Sequence, residues 1–331
     1  VKKLINDPEN VVAESVEGFG WAHDDIVEIR TDPLFVLRKG GAVQGQVGLV
    51  SGGGAGHEPL HAGFVGEGML TAAVPGAVFT SPTPDQIQPA LAAADGGRGV
   101  LAIVKNYTGD VLNFETAVEL AEDEGTSVRT VVVTDDVAVE DSLYTAGRRG
   151  VAGTLAVEKI AGASAARGDD LDTVTAIAER VCSQVRSMGV ALAAPTVPHV
   201  GRPSFDLADD EVEIGIGIHG EPGRHRIPAA SADEIAQMLL DPVVDDLGLG
   251  SGESVLLFVN GMGGTPQSEL YVVYRQARRL LEGRGVTVAR SLVGSYVTSL
   301  EMQGASVTVL RLDDELTQLW DAPVRTAALH W

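Results

Sequence analysis

The stretch Val47-Gly48-Leu49-Val50-Ser51-Gly52-Gly53-Gly54-Ala55-Gly56-His57-Glu58-Pro59 sets the grammar of the chain. A short apolar run feeds a glycine-rich segment that ends in a histidine. The pattern recurs: Val100 to Val104 runs into Lys105-Asn106-Tyr107-Thr108-Gly109-Asp110, and Arg129 to Val133 runs into Thr134-Asp135-Asp136. Helical patterns lie between, such as Phe114 to Glu124 with Ala117, Leu120 and Ala121 on one face. Strands alternating with helices indicate a parallel α/β sheet, and continuous apolar strands indicate a sheet covered on both faces.

Residues 153–194 read as helical and Ala-rich, with a break at Arg167-Gly168-Asp169-Asp170, where Asp170 caps the next helix. Pro195, Pro198 and Pro203 then mark a linker or a crossing segment. The second half repeats the grammar, with strands at Val212–Ile218, Val255–Val259, Val286–Ala289 and Val307–Leu312, and a helix that presents Leu270, Val273, Ala277, Leu280 and Leu281. The expected architecture is two α/β domains, 1–194 and 195–331, each a mainly parallel or mixed sheet flanked by helices.

The 331 residues carry 24 Lys plus Arg against 46 Asp plus Glu, a net charge of −22, which excludes long-range attraction to nucleic acid or an anionic membrane. Aromatics make up only 5%, so the core is aliphatic. A single cysteine, Cys182, rules out an internal disulfide and a cysteine-based metal site, as suits a reducing cytoplasm, and a small buried hydrophobe is its expected role. No apolar run approaches the ~20 residues that span a bilayer, and the start lacks an apolar signal core. The expectation is a soluble, cytoplasmic protein. Only five of the basic residues are lysine, which makes a salt-rich cytoplasm worth testing.

Ligands bind outside the carboxyl ends of strands in open α/β sheets. That rule gathers His57, Lys105, Asp110 and His219 from three loops, at 52–58, 105–110 and 219–223. The glycine run lacks the Gly-Lys-Ser/Thr of a phosphate loop, and the third glycine of a dinucleotide loop would fall at His57. It still allows backbone N–H groups close to a small oxygenated ligand, with a plain tight turn as the alternative. His57-Glu58-Pro59-Leu60-His61 spells a His-Glu-x-x-His zinc motif, but Pro59 belongs in the first turn of a helix, which leaves His57 outside it. Asp110 is either a helix N-cap or a carboxylate that takes a proton from a substrate hydroxyl. Lys105 is a substrate donor or a solvated charge, and His219 a structural or a reactive histidine. Arg148-Arg149 reads as a surface pair, with a grip on a phosphate or a partner as the alternative.

Lys2-Lys3-Leu4-Ile5-Asn6-Asp7, Ser51 to Pro59, Phe79-Thr80-Ser81-Pro82-Thr83-Pro84-Asp85, Lys105 to Glu115, Gly215 to Gly223 and Trp320-Asp321-Ala322-Pro323 occur in order along the chain. Together they resemble the dihydroxyacetone kinase family, in its substrate-binding K subunit. The resemblance implies that His219 adds to the ketone carbon of dihydroxyacetone as a covalent hemiaminal. It implies acid/base roles for His57 and Asp110, without settling which takes the proton. Gly54, Ala55, Gly56, His57, Lys105 and Asp110 would contact substrate, although Ala55 stands where relatives often carry Ser. No metal or cofactor is expected on this chain; ADP or ATP with Mg²⁺ would sit on a partner L subunit. The stop at Trp331 suggests the stand-alone layout of a phosphoenolpyruvate-dependent phosphotransferase system, with an M subunit acting indirectly, and a K homodimer. The alternatives are a non-catalytic dihydroxyacetone sensor and an ATP-dependent kinase with a separate L subunit.

Overall fold

The computed structural model describes residues 2–140, 145–221 and 223–331; Pro222 of the expected histidine loop lies outside them. In chain order the first part holds α1 (Val11–Ala22), β1 (Val27–Thr31), β2 (Leu34–Arg38), β3 (Gly48–Ala55), β4 (Gly66–Glu67), β5 (Ala72–Val78), α2 (Pro84–Ala94), β6 (Val100–Lys105), α3 (Thr108–Asp123) and β7 (Val128–Val133). Then come α4 (Gly153–Arg167), α5 (Leu171–Gln184), β8 (Val185–Ala193), β9 (Glu211–Ile214), β10 (His225–Pro228) and α6 (Ala232–Leu247). The last part holds β11 (Ser254–Gly261), α7 (Gln267–Gly283), β12 (Thr287–Gly294), β13 (Gln303–Leu312), α8 (Asp314–Asp321) and β14 (Arg325–Thr326).

Two six-stranded sheets result, ordered β1-β2-β5-β3-β6-β7 and β10-β9-β8-β13-β11-β12. In the first, β5, β3, β6 and β7 are parallel, with β1 and β2 added antiparallel at the edge. Here the alternating grammar holds. In the second only β11 and β12 are parallel; the other ladders are antiparallel. The α/β class stands, with both sheets mixed.

Two readings change. Residues 185–193, expected as helix, form β8, which pairs β13 and β9. The second sheet therefore begins at Val185, ahead of the proline segment where the division at 194/195 was expected. The Val212–Ile218 strand stops at Ile214, because Gly215 turns the chain at φ 81. The Asp170 cap is as expected: its side chain accepts from the Thr173 N–H.

The two halves share one interior. α4 is buried from Gly153 to Ala165 and packs against β3, β6 and β7 of the first sheet and β8 and β13 of the second. Asp135, at the exit of β7, accepts from the N–H groups of Val151 and Gly153 and from the Ser187 hydroxyl on β8. One carboxylate thus anchors the start of α4 and ties the sheets together. The chain end returns to the first half, where β14 pairs β4. Cys182 is half-buried against the shared core, and burial pushes its thiol up to about 12. Among the described residues no helix is long and apolar enough to cross a membrane.

Candidate active site

The glycine run is strand, not turn. All eight residues of β3 are buried, and it pairs β5 from Val50 to Ala55. Bare backbone is required because neighbours come in close. A Cβ on Gly53 would collide with Lys105 Nζ, and one on Gly54 would meet the Thr80 nitrogen at 2.5 Å. A residue with no side chain gives no strand signal of its own, although the register demands one.

His57 follows β3 in a loop clamped by the far half of the chain. The Leu300 N–H donates to the Gly56 carbonyl at 2.7 Å, and the Thr298 hydroxyl donates to the Glu58 carbonyl at 2.9 Å. His57 Nδ1 lies 2.7 Å from the Thr298 carbonyl. A carbonyl only accepts, so the proton resides on Nδ1 and Nε2 keeps its lone pair. Burial, then His219 and Lys105, hold this ring well below the ordinary histidine range, so it is neutral. Nε2 is buried and has no partner among the described residues.

His219 stands opposite. Its Nδ1 is 2.9 Å from Glu221 Oε1, and its own N–H donates to Glu221 Oε2 at 2.9 Å. A carboxylate likewise only accepts, so His219 bears a proton on Nδ1, and in the neutral ring Nε2 carries the lone pair. The ring is boxed edge-on by Tyr107, His57 and Phe79, with centroids 4.4, 4.7 and 5.4 Å away. Burial works against the Glu221 charge, but His219 and Arg149 hold its carboxyl at about 2. Arg149 is not the surface residue expected. It is fully buried, donates to Asp136 at 2.7 Å and to the Gly215 carbonyl at 2.8 Å, and brings positive charge to Glu221. Arg148, its neighbour, pairs with Asp246 at the surface.

A cavity of about 440 Å³ opens between these groups, lined among others by Gly54, Phe79, Ser81, Tyr107, Asp110 and His219. Asp110 is not an N-cap: it lies in the first turn of α3, buried, with Tyr107 at the cap position. Lys105 is fully buried rather than solvated, its Nζ 3.8 Å from Asp110 Oδ2 and 2.8 Å from His61 Nε2. Ala55 faces a neighbouring cavity of about 550 Å³ instead. The structure thus brings His219 and Asp110 around one space, with the His57 ring packed against His219 and Lys105 behind β3. Glu221 and Arg149 complete it. Glu221 lies within the 219–223 loop but carried no role in the sequence reading; the signal was a carboxylate two residues beyond the histidine in a glycine-flanked turn.

The zinc motif dissolves in this geometry. His57 Nδ1 is committed to Thr298 and His61 Nδ1 to Glu158, so the imidazoles do not converge. Among the described residues no group of three or more His, Cys, Asp or Glu could hold a metal ion.

In this α/β protein an imidazole held by a carboxylate, His219 with Glu221, faces a second, neutral imidazole, His57. Residues 17–328 match the Dak1 domain, and the chain belongs to the dihydroxyacetone kinase family that this domain defines. It is 48% identical over 355 residues to the dihydroxyacetone-binding subunit of the PEP-dependent dihydroxyacetone kinase of Escherichia coli, covering 100% of this chain and 99% of that one. It is 51% identical to the corresponding subunit of the PTS-dependent kinase 1 of Listeria innocua, covering 99% and 100%. Among solved structures it superposes on a dihydroxyacetone kinase operon co-activator, DhaQ, with TM-score 0.89 and 34% identity over 95% of this chain and 97% of that one. It also superposes on the dihydroxyacetone kinase of C. freundii, with TM-score 0.87 and 34% identity over 98% of this chain and 60% of that longer one.

Proposed function

We propose that this chain is the dihydroxyacetone-binding subunit of a dihydroxyacetone kinase. The observation that carries the reading is the His219–Glu221 pair facing the cavity. His219 Nε2 adds to the ketone carbon, the C=O π pair moves to oxygen, and that oxygen takes a proton. The imidazole becomes cationic as the N–C bond forms. Glu221 stabilises it and relays the Nδ1 proton through solvent to the oxygen, leaving a neutral hemiaminal and an ionised Glu221. Glycerol, with no carbonyl, is not captured.

Capture fixes a terminal hydroxyl within the site. His57 Nε2 and the Asp110 carboxylate are its two candidate proton acceptors. The phosphoryl group comes from nucleotide with Mg²⁺ on a separate L subunit; these supply the charge neutralisation that phosphoryl transfer needs. The names of the E. coli and Listeria relatives favour a phosphoenolpyruvate-fed system, with an M subunit recharging the nucleotide, over direct use of ATP. A cytoplasmic homodimer is the expected setting.

The second reading is a dihydroxyacetone sensor, favoured by the superposition on the co-activator. The higher identity to kinase subunits, 48% and 51% against 34%, favours the enzyme. The deciding experiment mixes the chain with L subunit, nucleotide, Mg²⁺ and a phosphoryl donor. Formation of dihydroxyacetone phosphate is expected; capture without transfer selects the sensor.

A further inference from the structure

His61 and Glu158 take no part in the chemistry above, yet both are buried inside the protein. Lys105 Nζ lies 2.8 Å from His61 Nε2, and His61 Nδ1 lies 2.5 Å from Glu158 Oε1. The ends set the direction of this chain. An ammonium has no lone pair, so Lys105 donates and Nε2 accepts. The ring proton is then on Nδ1 and goes to Glu158 Oε1, which accepts it whether or not the carboxyl is ionised. Burial first, then Lys105 and His57, push His61 well below the ordinary histidine range, so the ring is neutral. Glu158 comes from the middle of α4, the helix between the sheets, where burial pushes it up to about 8 against the pull of Lys105 and Ser51.

The remaining contacts of the ammonium are looser. The Gly52 carbonyl is at 3.4 Å and Asp110 Oδ2 at 3.8 Å. The lysine stem is flexible and its head group a point charge with three donors. Released from His61, it would close on Asp110 as a direct ion pair, and a carboxylate so occupied is a poorer acceptor for a hydroxyl proton.

We propose that His61 and Glu158 are positioning residues, which tether Lys105 behind β3 and hold it short of Asp110. The tether keeps the carboxylate available to the substrate hydroxyl while leaving a positive charge beside it. This inference rests on the kinase-subunit reading.

The test compares His61→Leu with His61→Gln in the complete transfer assay. Glutamine supplies a carbonyl to accept from Lys105 and an N–H to donate to Glu158; leucine supplies neither. For His61→Leu, kcat should fall on the order of 10²-fold, the cost of a misplaced group, with little change in KM for dihydroxyacetone. His61→Gln should recover most of that loss. Equal loss in both variants, an unchanged kcat in His61→Leu, or a change in KM alone would overturn the role. Should His61→Leu fail to fold, Glu158→Gln, which keeps an acceptor oxygen, is compared with Glu158→Met, which does not. The glutamine variant should transfer faster, and equal rates overturn the tether. A wild-type chain that transfers nothing overturns the kinase reading; a wild-type chain that transfers beside an equally active His61→Leu overturns only the tether.

Discussion

His219 and Glu221 hold each other twice, through Nδ1 to Oε1 and through the backbone N–H to Oε2, both at 2.9 Å. The carboxylate therefore fixes the turn as well as the tautomer. Glu221→Gln retains an oxygen for the Nδ1 proton but removes the charge that steadies the cationic ring. Capture of dihydroxyacetone should slow by about 10²-fold or more, as when an orienting carboxylate is neutralised beside a catalytic histidine. The rate is read from the appearance of the adduct in rapid-mixing experiments; a rate equal to wild type would remove Glu221 from the mechanism.

The same pair makes stability depend on acid. Glu221 titrates at about 2 in the folded chain against an ordinary 4.5, so the unfolded state binds the proton more tightly. The contribution is complete above the unfolded value and is lost as pH falls from there toward 2. Between pH 5 and pH 3 the loss amounts to about 2 kcal/mol from this group alone. Urea unfolding at both pH values should show a smaller drop for Glu221→Gln than for wild type, and equal drops would contradict the linkage.

His219→Ala should abolish covalent capture. With carbonyl-labelled ¹³C dihydroxyacetone, wild type should move the labelled carbon from the ketone region to that of a tetrahedral centre. The variant should leave it a ketone. A tetrahedral signal in the variant would place the nucleophile elsewhere.

Asp110→Asn should separate capture from transfer. Its carboxylate lines the cavity without touching the His219 ring nitrogens' partner, so the adduct should form normally. Phosphoryl transfer should slow by a factor on the order of 10²–10⁴, the usual weight of a lost general base. A normal rate would leave His57 as the acceptor.

Local patterns carried much of this. Apolar runs ending in loops located β3, β6, β7 and β11, and the strand-end rule named Asp110 and His219, which line the cavity, and His57, whose ring packs against His219. What escaped depended on partners distant in sequence. β3 runs on through its glycines because β5 pairs them residue by residue, and nothing in a glycine announces that. β8 hid in an Ala-rich stretch whose strand form is decided by β13. Arg149 looked solvated until Asp136 and the Gly215 carbonyl were seen to surround it. Glu58 and His61 spelled a metal motif only while their neighbours were unknown.

Thr298 contributes no side chain to the cavity, yet its carbonyl decides which nitrogen of His57 bears the proton. The unpartnered lone pair belongs to the first half of the chain and the instruction that places it to the second. A transplant of the Gly-rich strand and its histidine into another scaffold would carry every atom of the imidazole and lose its polarity. The two halves can be redesigned only as a matched set.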